Sequence, residues 1–110
     1  MQDVSIEEAN SDIVESQIHT FEVNAQLWRL QASRFAESLS EETAFGAKPG
    51  SSVRTDALVA IDRIEMEIGR FQTLSVSQKG AALPKLVRLA EVAVTLQSAR
   101  RRLAGALALS

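Results

Sequence analysis

The spacing of eight residues constrains the fold of this chain more than any other feature: Val14, Ile18, Phe21, Ala25, Trp28, Ala32, Phe35 and Leu39 recur at alternating steps of four and three. That is a heptad seam. A strand would alternate with period two, whereas a helix with a seam this long can bury it only against other helices. The expected fold is all-α, with Trp28 and Phe35 in its core.

The rest of the chain supplies the partners. Ser5 followed by Glu8 fits a capping box, so the first helix is expected to start near Ile6 and to run over about 6–43. Residues 1–10 offer only Ile6 and Ala9 to an apolar face and are expected to be mobile. Gly46, Pro49 and Gly50 then break the periodicity, and Phe45 beside them is expected to tuck against the bundle end. A second helix, about 53–73, repeats the step through Ala57, Ile61, Ile64, Ile68 and Phe71, with Arg63, Glu67 and Arg70 on its solvated side. Gly69 inside it suggests a close approach by another backbone. Gly80 marks the next turn, and Pro84 suits the start of a third helix, about 84–107. The architecture expected is a single helical domain over 1–110, a three-helix up-down-up bundle with a long first helix and coiled-coil-like packing.

Two stretches carry more apolar surface than such a bundle needs. Val23, Leu27 and Leu30 lie well away from the seam at 100° per residue, so the middle of the first helix is apolar on two faces. It is sandwiched either within its own bundle or against another subunit. The third helix continues into Leu103, Leu107 and Leu109, which either pack on their own bundle or dock on a partner.

Composition bounds the function. Hydrophobic residues make up 45% and charged residues 24%, the balance of a folded domain, and a net charge of −2 gives no general pull toward nucleic acid or anionic lipid. No run of about 18 apolar residues predicts a membrane span, and the first residues are acidic where a secretory signal would be basic. A cytoplasmic protein is the expectation; export without a cleaved signal would leave no mark in such a sequence. Cysteine is absent, which removes disulfides and thiolate metal sites.

Catalytic chemistry finds little footing. His19 is the one histidine, with Glu15 and Glu22 on a shared helical face, but a di-iron bundle needs two Glu-x-x-His motifs and facing glutamates. Cysteine and tyrosine are both missing, and the serines fall at caps and turns. The stretch Gly46 to Gly50 is not a phosphate-binding loop, since no strand precedes it. The expectation is a protein that is not an enzyme and holds no cofactor or metal.

Two function classes remain. The first is an assembly protein that binds another protein or itself: an adaptor, a small chaperone, or a subunit of a larger machine such as a secretion apparatus. The gross layout resembles that of the short helical rod subunits of type III secretion and flagellar machines. There a Phe-containing amphipathic helix, here Arg34, Phe35, Ala36, Glu37, Ser38 and Leu39, precedes an apolar C-terminal helix, here from Leu86 onward. That resemblance implies assembly as the function and transfers no residue. The second class is a small dimeric regulator binding nucleic acid through Arg100, Arg101 and Arg102, although helix-terminal cations also complement the helix dipole.

Charge is distributed unevenly. Glu7, Glu8, Asp12 and Glu15 head the chain and Arg100 to Arg102 end the third helix. In an up-down-up bundle these lie at opposite ends. The acidic head is expected to overhang and to meet the arginines of another copy stacked end to end, or a basic patch on a different protein.

Overall fold

The structure, a computed structural model, describes residues 2–44 and 52–109, with the side chains of 11–44 and 52–109. It contains three helices, α1 (Gln2–Ala44), α2 (Ser52–Ser77) and α3 (Leu83–Leu109), and no strand among the described residues. The direction of each follows from what it buries. Val14 and Ile18 of α1 meet Phe71 and Leu74 of α2 and Leu86 and Leu89 of α3. At the far end Leu39 meets Val53 and Ala57 of α2 and Leu107 of α3. The chain therefore runs up, down and up, with α1 and α3 parallel.

Heptad steps hold the three helices together. The buried positions are Ile18, Ala25, Ala32, Ala36 and Leu39 on α1; Ala57, Ala60, Ile64, Glu67 and Phe71 on α2; and Leu89, Val92, Leu96, Ala99, Leu103 and Leu107 on α3. Toward the far end of the bundle Ala32, Ala57, Ala60 and Ala99 share one cluster with Leu39, Ile64, Leu103 and Leu107. Larger side chains fill both ends, and Phe21 meets Phe71 edge to face with ring centres 5.3 Å apart.

Several expectations are corrected here. Both α1 and α2 run longer than the sequence suggests, from Gln2 and to Ser77 respectively. Phe45 and its neighbouring glycines and Pro49 lie outside the described residues, as do the side chains of 1–10. Trp28 and Phe35 are half-buried rather than central: with only two other helices to cover it, the seam turns its alanine positions inward and leaves the aromatics on the flank facing α2. On α2 the inward positions include Ala60 and Glu67, so Ile61 and Ile68 move to the flank. Among the described residues no other backbone approaches Gly69, since a Cβ there would meet nothing within 4 Å.

Length sets the overall shape. With 43 residues α1 is about 64 Å long at 1.5 Å per residue, against about 40 Å for α2 and α3. The longest dimension of the molecule, 67 Å, is that of α1. Glu15 and Glu22 stand level with Arg88, early in α3, so the first turns of α1 run on beyond the start of α3.

Candidate functional site

Several of the polar groups singled out in the sequence are engaged inside the chain. Arg88 on α3 grips α1 with its whole guanidinium: Nε and Nη2 donate to the two oxygens of Glu22 at 3.2 and 2.7 Å, and Nη1 donates to Glu15. This bidentate geometry holds the Glu22 carboxyl below its ordinary value, first through the hydrogen bonds from Arg88, with partial burial opposing them and the charges of Arg88 and His19 adding to them. The same bonds hold the Arg88 guanidinium still more firmly charged. Both carboxylates that could have joined His19 at a metal thus turn to an arginine, and His19 is exposed beside them. Among the described residues no three His, Asp or Glu side chains are grouped to hold a metal ion.

The arginine triplet does not form one patch. Successive helical residues point about 100° apart, so the three diverge. Arg100 is half-buried, its Nε donating to Gln97 at 3.2 Å and its Nη1 lying 3.9 Å from Glu65 of α2, while Arg101 and Arg102 are exposed. A phosphate backbone would meet two cations here on different sides of one helix.

The apolar tail divides in the same manner. Leu103 is completely buried and Leu107 nearly so, both within the core cluster that holds Leu39, Ala57 and Ile64. This corrects their assignment to a partner surface: α3 remains packed between α1 and α2 to its last turn, and the three-to-four step from Leu96 and Ala99 carries them inward. Leu109, 86% exposed, is the tail residue left outside.

What remains uncovered is the back of α1. Val23, Leu27 and Leu30 are each about half exposed, and they point directly away from the buried line of Ile18, Ala25, Ala32 and Leu39. Neither α2 nor α3 reaches them, because both pack on the opposite side. The other helices leave more broken exposures: Leu58, Val59, Met66 and Val76 on α2, and Leu83, Val87 and Val94 on α3. Among the described residues only α1 presents three large aliphatic side chains at the i, i+4, i+7 spacing a partner helix would grip.

Between α1 and α2 lie two open grooves, of about 540 and 260 Å³. The larger is lined by Phe21, Leu74 and a set of hydroxyls, of which Thr20, Thr73 and Ser77 donate to carbonyls of their own helices. Such back-bonded hydroxyls satisfy the helix and are not poised as nucleophiles. Asn24 and Glu67 bridge the wall between the grooves, Asn24 Nδ2 donating to Glu67 Oε1 at 3.1 Å. The charge pattern of α2 assigns Glu67 to the solvated face, and nothing in the pattern of α1 singles out Asn24. A signal for Glu67 exists all the same, since Ala57, Ala60, Ile64, Glu67 and Phe71 form as regular a heptad series as the one that runs through Ile61 and Ile68.

Among the described residues no helix is long and apolar enough to cross a membrane. Comparison with protein-family models, with curated proteins and with solved structures gives no match.

Proposed function

We propose that the chain is a non-enzymatic assembly protein, an adaptor, small chaperone or machine subunit such as one of a secretion apparatus, which binds another protein or a second copy of itself through the back of α1. One observation carries this reading: Val23, Leu27 and Leu30 form an aliphatic row on three successive turns of a rigid helix, and no element among the described residues covers it. An enzyme would be expected to invest its polar side chains in a cleft. Here Arg88, Glu15, Glu22, Asn24 and Glu67 instead join helix to helix, leaving a surface rather than a cavity as the distinctive feature.

A photo-crosslinking amino acid at Leu27, introduced in the native host, tests the reading. Irradiation is expected to give an adduct of one discrete mass, and the same probe at Asp62, on the outer side of α2, to give none. Loss of the Leu27 adduct in a Val23→Glu background would show that the row itself is the contact. If Leu27 and Asp62 behave alike, the back of α1 is not an interface.

A further inference from the structure

We propose that the occupant of this face is the same face of a second copy, with the two α1 helices antiparallel in a closed two-fold dimer. The proposal rests on the reading of α1 as an interaction surface and names the partner. Its starting point is that the back of α1 bears a complete heptad seam of its own. Ile13, Ser16, Thr20, Val23, Leu27 and Leu30 follow one another at steps of three, four, three, four and three, and all six are exposed. Its aliphatic members run opposite the buried series while Ser16 and Thr20 stand at the rim of the groove toward α2, so α1 has the pattern of a helix packed on both sides. A scatter of surface aliphatics would not keep that register over 18 residues; a helix that grips another by knobs and holes requires it.

The series also sets its own limits. The next two seam positions are Arg34 and Glu37, both exposed, so the apolar part ends after Leu30. Laying the seam on itself in reverse pairs Ile13 with Leu30, Ser16 with Leu27 and Thr20 with Val23, each twice by symmetry. Small polar residues then oppose large aliphatic ones, and no charge enters the seam. Sliding by one heptad would set Glu37 against Ile13 and Arg34 against Ser16, placing charge within it.

Charge selects the direction. Glu15 and Glu22 are held by Arg88, and Arg29 bonds to Gln26, so the charges at the two ends of the seam are Asp12 and Arg34, both exposed. The antiparallel arrangement lays the Asp12 end of each helix along the Arg34 end of the other. A parallel pair would set Asp12 against Asp12 and Arg34 against Arg34. Charges at the edge of such an interface contribute mainly to orientation, while the aliphatic row supplies the contact. Because the same face serves on both sides, the assembly closes at two. It differs from the end-to-end stacking expected from sequence, in which Glu15 and Arg100 would bridge copies; both already have partners within their own chain, Glu15 on Arg88 and Arg100 on Gln97 and Glu65.

The chain has no cysteine, so single cysteines report on the pairing directly. The variants are Ile13→Cys, Val23→Cys and Leu30→Cys, all at exposed positions, treated with a short bismaleimide, alongside the solution mass of the unmodified chain over a concentration series. The expected mass is twice the 12.0 kDa of the chain. Val23→Cys, close to the two-fold axis, is expected to cross-link with itself. Ile13→Cys and Leu30→Cys alone should not, each lying about 25 Å from its own counterpart at 1.5 Å per residue, but a mixture of the two should. Self-cross-linking at all three positions would mean a parallel pair and would overturn the proposal, as would a dimer in which Val23→Cys fails to cross-link. A monomer at every concentration would overturn it too. In that case a Leu27 photo-adduct of a mass other than twice the chain's would leave the reading of α1 as an interaction surface standing, with a different partner.

Discussion

Asn24 on α1 donates a 3.1 Å hydrogen bond to Glu67 on α2, a residue only 8% exposed. An acidic side chain at an inward heptad position is costly unless it is hydrogen-bonded, and here the bond also fixes how α1 and α2 face each other. Arg70, 3.9 Å from the second carboxylate oxygen, adds a charge of opposite sign at the surface. Asn24→Leu should therefore destabilise the fold by about 1–3 kcal/mol, through the carboxylate left without its donor. Replacing Asn24 and Glu67 together by leucine should recover most of that loss. Urea denaturation of the two single variants and the double variant measures the coupling.

The Arg88 clamp makes stability depend on pH. Arg88 holds the folded-state pKa of Glu22 below its ordinary value of 4.5, so the contribution of this carboxylate is fully present above that value. It is lost as pH falls through the lower, folded-state pKa. Thermal melts should consequently stay level from neutral pH to about pH 5 and then drop, and Glu22→Gln should flatten that acid limb while lowering the melting temperature at pH 7. A melt series from neutral pH into the acid limb on both proteins checks the sign.

Gly69 offers a stabilising change. It lies inside α2, exposed, and an added Cβ would meet nothing within 4 Å. Alanine there keeps the helical backbone and removes freedom from the unfolded chain, so Gly69→Ala should raise stability by about 0.5–1 kcal/mol. The denaturation midpoint measures it. A fall instead would mean that the Thr73 hydroxyl, which donates to the Gly69 carbonyl at 3.2 Å, depends on the local backbone geometry glycine provides.

Burial sets the sign of another substitution. Ala32 is almost fully buried in a core cluster with Leu39, Ala57, Ala60, Ile64, Ala99 and Leu103. Ala32→Leu adds three carbons where no room exists and should cost about 1–3 kcal/mol. Leu103→Ala, which instead empties a fully buried site, should cost about 2–5 kcal/mol. Both are read from chemical denaturation.

The heptad steps make the three helices and their order legible in the sequence, because period and loop chemistry are local properties. Which residues of a seam face the centre of the bundle is not local. Trp28 sits at a seam position yet ends half-buried, since the share of α1 that is covered depends on how many helices surround it. Glu67 reads as solvated for the same reason: the flank and the centre of a helix differ by one position, and only a partner such as Asn24 decides between them. For Leu103 and Leu107 the hydrophobicity is local and plain, whereas its destination depends on where α1 and α2 lie. By contrast, Val23, Leu27 and Leu30 are legible as a second apolar face, and the fold leaves that face bare.

That bare face yields the last prediction, which separates fold from assembly by one substitution at two places. Leu27→Glu puts a charge on an exposed position and should leave the fold of a lone chain within about 0.5 kcal/mol, whereas Leu103→Glu places it in the core and should unfold the protein. If two copies pair through α1, binding stabilises the native state by mass action, so the melting temperature of the unaltered chain should rise with protein concentration. In Leu27→Glu that dependence should vanish, with the two proteins melting together at low concentration and apart at high. Far-ultraviolet circular dichroism melts across a wide range of concentration would reveal the pattern. A concentration dependence that survives Leu27→Glu would move the contact to the other exposed aliphatics, such as Leu58, Val59 and Met66 on α2 or Leu83, Val87 and Val94 on α3, because no charged side chain is accommodated at the centre of an aliphatic seam without loss of affinity.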